Sequence, residues 1–184
     1  MKKLIYLDNA ATTPLLPEVR KVMINYMVDN FGNPSSIYKI GRMNKIAVEE
    51  ARKSIAETIG ACPDDIFFTS GGTESDNWVL ESAAESATES DSAHIIVSAI
   101  EHPAVINKCI QLKKRGCDVD YIKTDKNGII NTDDLISKIR DDTKLISVML
   151  VNNEIGTIQP VKNVCNIAAE YAIPVHTDAV AAYG

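Results

Sequence analysis

Apolar positions along the chain fall into two alternating spacings. Val19, Val22, Met23, Tyr26 and Met27 recur at helical intervals, and Gly32-Asn33-Pro34 ends that run. Ile46, Ala47, Ala51, Ile55 and Ile59 predict a second helix, stopped at Gly60. Ile66-Phe67-Phe68-Thr69 reads as a short buried strand leading into Ser70-Gly71-Gly72-Thr73-Glu74-Ser75, with a helix from about Glu74. That helix fades into a Ser/Glu/Ala-rich stretch, 82–92, expected to be helix end and solvated loop. Residues 94–98 predict a strand, followed by Glu101-His102-Pro103 and a helix closing at Gly116. Asp118 to Lys123 is extended, and Lys126-Asn127-Gly128 is a turn. Thr132-Asp133-Asp134 opens a helix with acids in its first turn. Leu145 to Val151 is too continuously apolar to keep one face in water. Val161, Val164, Cys165, Ala168 and Ala172 predict an amphipathic helix, and Ile173 to Thr177 a last strand. Strand and helix alternate without internal repeat, so the economical fold class is α/β with a mainly parallel sheet.

Composition narrows the partners more than the fold. The chain has 184 residues, enough for one domain with a substantial core, and a net charge of -6 from 19 basic and 25 acidic residues. That balance offers no attraction for nucleic acid or an anionic membrane. The densest basic cluster, Lys113-Lys114-Arg115, reads as a helix end, where cations suit the helix dipole. Met1 to Leu7 begins like an export signal, but Asp8 and Asn9 cut the apolar run short. No stretch approaches the ~20 apolar residues of a membrane span. Cys62, Cys109, Cys117 and Cys165 form no Cys-x-x-Cys pair, so no metal site is expected and a reduced, cytoplasmic protein fits. The sequence ends immediately after a buried-looking strand, which predicts an incomplete chain with an open sheet edge.

Polar residues gather where a parallel sheet binds ligands, at the carboxyl ends of its strands. Ser70 to Thr73, Glu101-His102, Asn152 to Glu154 and Asp178 all fall at or just past such ends in the predicted pattern. Gly71-Gly72-Thr73 opens a helix, so its amides and the helix dipole form a cup for an anion. The spacing matches neither a Walker loop nor a dinucleotide fingerprint, and a plain strand-to-helix turn would read the same. Asp178 follows apolar residues, and a buried carboxylate there needs a cation such as a protonated pyridine nitrogen; a helix N-cap is the other reading. His102 could stack on a flat ring or move protons, or be an ordinary loop histidine. Asn153 offers donor and acceptor to a phenolic oxygen or a carboxylate, or simply shapes the turn before Gly156.

Read together, longer segments carry a resemblance. These are Tyr6 to Pro14, Phe31 to Ser36, Thr69 to Asn77, Glu101 to Val105, Val151 to Gly156 and His176 to Val180. In order and spacing they resemble the cysteine desulfurases of the class V aminotransferase family, the branch supplying sulfur for iron-sulfur clusters and thiolation. The resemblance implies fold type I of the pyridoxal-phosphate (PLP) dependent transferases, here an incomplete large domain. It implies an N-terminal arm at 1–15 and a partial PLP-binding domain at 16–184, without the remainder and the C-terminal small domain. Gly72 and Thr73 would hold the cofactor phosphate. His102 would stack on the ring and assist proton transfer as the catalytic residue. Asn153 would lie near the ring hydroxyl, and Asp178 would pair with the ring nitrogen. The implied reaction takes L-cysteine to alanine with a persulfide on an enzyme cysteine, in a homodimer serving sulfur acceptors or iron-sulfur scaffold proteins.

Two departures qualify that expectation. Ala181 stands where the family has a glutamine bonded to the ring hydroxyl, a loss on the order of 1 kcal/mol. The family's Ser-x-His-Lys segment, persulfide cysteine and substrate-binding arginine would all come after residue 184, and none of the four cysteines matches the persulfide position. The chain alone is therefore expected to be inactive and marginally stable. A non-catalytic half-fold that pairs with another chain, and a different class V enzyme such as a selenocysteine lyase, are the competing readings.

Overall fold

The computed structural model describes residues 5–86 and 93–183. The chain divides into two compact units, one ending at Phe68 and the other beginning at Thr69.

The first unit is helical. Helix α1, Pro17–Val28, starts with proline at its first turn, where the missing N–H costs nothing. Helix α2, Lys39–Ile59, stops at Gly60 as its pattern predicts. The buried Asn44 ties α2 to the loop after α1, donating from Nδ2 to the carbonyls of Asn30, at 2.8 Å, and Gly32. A short 3-10 turn, Pro63–Asp65, follows. The strand expected at Ile66 to Thr69 does not form, and Phe67 and Phe68 are 69% and 51% exposed. An apolar β-branched or aromatic run becomes a strand only against a neighbouring backbone. Here Arg52 takes the Ile66 carbonyl through Nη1 and lies over the Phe68 ring.

The second unit carries the sheet. Its strands are β1, His94–Ser98, β2, Asp118–Ile122, β3, Thr143–Ser147, and β4, Val175–His176. They pair in the order β2-β1-β3-β4, all parallel. Helices α3, Gly72–Glu85, α4, Pro103–Lys114, α5, Thr132–Lys138, and α6, Val161–Glu170, alternate with them. The end of the expected loop at 82–92 lies outside the described residues from 87 onward; α3 itself runs to Glu85. Strand β3 ends at Ser147, earlier than the apolar run suggested. The run stays buried through Val148 and Met149, and Val151 then pairs antiparallel with Ile158.

Successive residues of β1 serve opposite faces, as a two-residue period demands. Ile95 and Val97 pack with Leu80 of α3 and Val105, Cys109 and Leu112 of α4. Ile96 packs with Leu135 of α5 and Val164 and Ala168 of α6. The sheet is thus covered on both faces, and every residue of β1 is buried. Asn131 caps α5, its Oδ1 accepting from the N–H groups of Asp133 and Asp134. The chain steps from β1 outward to β2 and then returns to β3 on the other side of β1. In open α/β sheets such a change of direction marks the crevice where ligands bind, here between the carboxyl ends of β1 and β3.

Candidate functional site

The amino end of α3 and the carboxyl ends of β1, β3 and β4 converge within the second unit. Gly71 precedes α3 with φ 154, and no side chain caps the helix. A Cβ on Gly72 would lie 2.8 Å from Cγ2 of Val180, so glycine suits the close approach of the segment after β4 to α3. Glu74, in the first turn, reaches back to the Ser70 N–H at 2.5 Å, which holds its carboxyl below the usual range. The first turn of α3 therefore lies beside the Val180 side chain, two residues after Asp178.

Asp178 sits just past β4, 8% exposed. Its carbonyl accepts from the Leu150 N–H at 2.8 Å, and its Oδ1 from the Val180 N–H at 2.9 Å. Two residues earlier, His176 joins two elements. Its Nδ1 is 2.9 Å from the Ser147 hydroxyl of β3, and its Nε2 is 3.5 Å from Oδ1 of the buried Asp76 in α3.

Glu101 bridges the carboxyl ends of β1 and β3. Its Oε1 accepts from the Ser98 hydroxyl at 2.5 Å and the Met149 N–H at 2.6 Å. Asn152 adds a second tie, donating from Nδ2 to the Ile100 carbonyl at 2.8 Å while its Oδ1 accepts from the N–H groups of Glu154 and Ile155. Both residues join the loop after β1 to the loop after β3. Burial pushes the Glu101 carboxyl up to about 7, against the opposing pull of the Ser98 and Met149 bonds and of His176, with Asp178 adding to the rise.

Of the residues singled out in the sequence, Gly72 and Thr73 lie in the first turn of α3, His102 precedes α4, Asn153 lies in the turn after β3, and Asp178 lies past β4. One expectation is corrected: Ser70 to Thr73 does not follow a strand, because residues 66–69 are not laddered; the fold brings it to the sheet through the Gly72–Val180 approach instead. His102 is exposed and is the N-cap of α4, its Nδ1 accepting from the Ala104 N–H at 3.1 Å. In the neutral ring that bond leaves the proton on Nε2. Asn153 is exposed, and its neighbour Asn152 makes the structural bonds. Ala181 lies in the exposed turn that follows Asp178. Glu101 and Asn152 were grouped with the polar residues at the strand ends but received no individual role from the sequence, and His176 received none. The available signal was acid and amide side chains directly after apolar strands, where a buried polar group has to find partners.

Comparison with known proteins places this arrangement. The family model of aminotransferase class V matches residues 5–184. The chain belongs to that family. A class-V relative, the cysteine desulfurase IscS of Methanosarcina thermophila, is 52% identical over 182 residues, covering 99% of this chain and 45% of the relative. IscS of Dictyoglomus turgidum is 49% identical over 184 residues, with 46% of its length covered. Among solved structures, a NifS-like protein superposes with a TM-score of 0.92 at 39% identity, over 96% of this chain and 49% of that one. A structure described as SspA in complex with cysteine gives 0.90 at 38% identity, over 97% of this chain and 51% of that one. This class-V chain thus spans about half the length of the curated relatives it matches, and its fold is that of the NifS-like enzymes over that half. No helix among the described residues is long and apolar enough to cross a membrane.

PLP, the cofactor that this family implies, carries a phosphate at one end and a ring that becomes cationic at its nitrogen. The residues fit such a group. An uncapped helix amino end attracts an anion, and the buried Asp178 has no lysine or arginine partner among the described residues. The Gly72–Val180 approach joins the two poles.

Proposed function

We propose that the chain forms the cofactor cradle of a PLP-dependent cysteine desulfurase acting on L-cysteine. Residues 16–184 would belong to the cofactor-binding large domain, with 1–15 as an arm. The observation that carries this reading is the approach, across Gly72 and Val180, of an uncapped helix amino end to a buried carboxylate that no lysine or arginine meets among the described residues.

The residues divide the work by charge. The amides of Gly72 and Thr73, with the Thr73 hydroxyl, would bind the phosphate. Asp178 would hold the ring nitrogen protonated, its orientation set by the Val180 N–H. His102, with Nδ1 held by Ala104, would offer its Nε2 to proton transfer at the bound cofactor. Asn153 offers an amide to the ring oxygen or the substrate carboxylate. When bound, PLP supplies an electron sink that lets the bond to sulfur break. The desulfurase reading extends to a homodimer, to sulfur-acceptor or iron-sulfur scaffold partners and to a cytoplasmic setting. Because the sequence holds no Ser-x-His-Lys segment, the chain by itself is expected to release no sulfide from L-cysteine and to form no borohydride-trappable bond with PLP.

Equilibrium dialysis of the chain against PLP tests the cradle. Asp178→Asn and Thr73→Ala should each weaken binding, the former by roughly 10-fold or more, since hydrogen bonds to charged groups contribute about 1.5 to 3 kcal/mol. Binding unchanged by both substitutions would discard the site. A single lysine of this chain trapped by borohydride would overturn the expected lack of covalent attachment.

A further inference from the structure

Three carboxyl groups and one imidazole, those of Asp76, Glu101, Asp178 and His176, are associated at the carboxyl end of the sheet. No lysine or arginine is bonded to them among the described residues. If all three acids were ionised, the cluster would hold three negative charges against at most one positive charge. Buried charge in that excess is costly, and the usual outcome is that one group takes up a proton.

Geometry indicates which group does so. Both hydrogen bonds to Glu101 arrive at one oxygen, Oε1, from Ser98 and Met149. Oε2 is buried and has no hydrogen-bond partner among the described residues. A proton on Oε2 removes the charge from the undonated oxygen and leaves Oε1 to accept both bonds. Asp178 differs: its Oδ1 accepts from the Val180 N–H, and it has no buried oxygen left without a partner among the described residues. The titratable groups facing Glu101 are Asp178 and His176 at the end of β4 and Cys109 of α4, with Asp76 of α3 acting through its contact with His176. Asp178 opposes ionisation of Glu101, and His176 favours it.

We propose that Glu101 and Asp178 form a buried acid pair in which Glu101 holds the proton and Asp178 the negative charge, so that the crevice presents a single carboxylate to a cationic ring. Glu101 is then a positioning residue: it clamps β1 to β3 and keeps the pair's charge on Asp178. The purpose assigned to the pair rests on the cofactor reading; the pair itself rests on the undonated Oε2 of Glu101 and on the consecutive Met149 and Leu150 amides, which meet Glu101 Oε1 and the Asp178 carbonyl. A cation docking at Asp178 offsets the repulsion between the two acids and favours release of the Glu101 proton.

The first measurement is the carbon-13 carboxyl titration of Glu101 in the cofactor-free chain, the resonance being assigned by its loss in Glu101→Gln. The expected midpoint is near 7, falling by about one pH unit in Asp178→Asn, which removes the facing charge but keeps an acceptor for Val180. A titration in the ordinary carboxylate range, or a midpoint indifferent to Asp178→Asn, would overturn the pair. The wild-type measurement needs no variant to fold. The second measurement is PLP affinity against pH. Relative to Glu101→Gln, wild-type affinity should rise up to about tenfold from pH 6 to 8, as Glu101 gives up its proton; equal pH profiles would count against the pair. A purely structural clamp would move neither the midpoint in Asp178→Asn nor the difference between profiles. If the pair titrates as described but no variant binds PLP, the cofactor reading fails and the pair stands. If PLP binds while Glu101 titrates ordinarily, the reverse holds.

Discussion

Helix α1 of the first unit has no buried residue, whereas strand β1 of the second has none that is not. Both stretches have apolar residues at the spacing their secondary structure requires. Val19, Val22, Met23 and Tyr26 give α1 an apolar stripe that remains in contact with solvent, and α2 buries only Gly41, Asn44 and Ala56 along 21 residues. In the second unit the same kind of stripe is covered: α4 buries Val105, Cys109 and Leu112, and α6 buries Val164 and Ala168. A stripe therefore specifies a helix and the direction it needs to face, while its contribution to stability depends on what covers it.

The largest test of that contrast is truncation. Ile96→Ala or Ile146→Ala, each in a fully buried strand position, should cost about 2 to 5 kcal/mol by chemical denaturation. Met27→Ala, at a position 70% exposed on α1, should stay within about 0.5 kcal/mol. A loss at Met27 comparable to that at Ile96 would erase the difference between the units.

A smaller effect tests Glu101, a buried acid whose ionisation opposes the fold. In the folded chain Glu101 is raised from 4.5 to about 7, so its unfolded form ionises first as pH increases. Its contribution is fully present below about pH 4.5 and is lost as pH rises to about 7. The loss is roughly 3 kcal/mol, at about 1.36 kcal/mol for each pH unit between the two values. Asp118 and Asp134, held low by hydrogen bonds from Arg140 and Lys138, act in the opposite direction and lose their contribution on acidification. The Glu101 share is therefore the difference in urea stability between wild type and Glu101→Gln, followed from pH 4 to 8. A difference constant with pH would show that Glu101 ionises as readily in the folded chain as in the unfolded one.

The smallest effect compares the helix starts. Asn131→Ala removes the acceptor for two α5 amides and should cost about 1 kcal/mol. Tyr38 precedes α2 without a side-chain cap, so Tyr38→Ala should change thermal stability by much less. Equal costs would mean that α2 depends on Tyr38 through a contact other than capping.

Much of the second unit was legible because its signals are local. The three apolar residues at 95–97, the turn at Lys126-Asn127-Gly128 and the acid-rich start at Thr132 each determine their own backbone, and the strands and helices they predict are present. The resemblance to cysteine desulfurases was carried by short polar segments, and the family match supports it. The strand expected at residues 66–69 was not legible, since its β-rich residues meet Arg52 rather than a neighbouring ladder. The partners of Glu101 were equally hidden, because Met149 lies 48 residues away and comes alongside only when β1 and β3 pair.

By itself the sequence determined that helices α1 to α6 and strands β1 to β3 are present and in what order, the parallel α/β class and the family. These follow from periodicity, capping and motif order, which act over a few residues at a time. Only the tertiary structure decided that the α3 amino end lies against the segment after Asp178, that Glu101 bridges two strands, and that the apolar stripe of α1 stays exposed. Those outcomes depend on which distant backbones become neighbours, and the burial that shifts Glu101 exists only after they do.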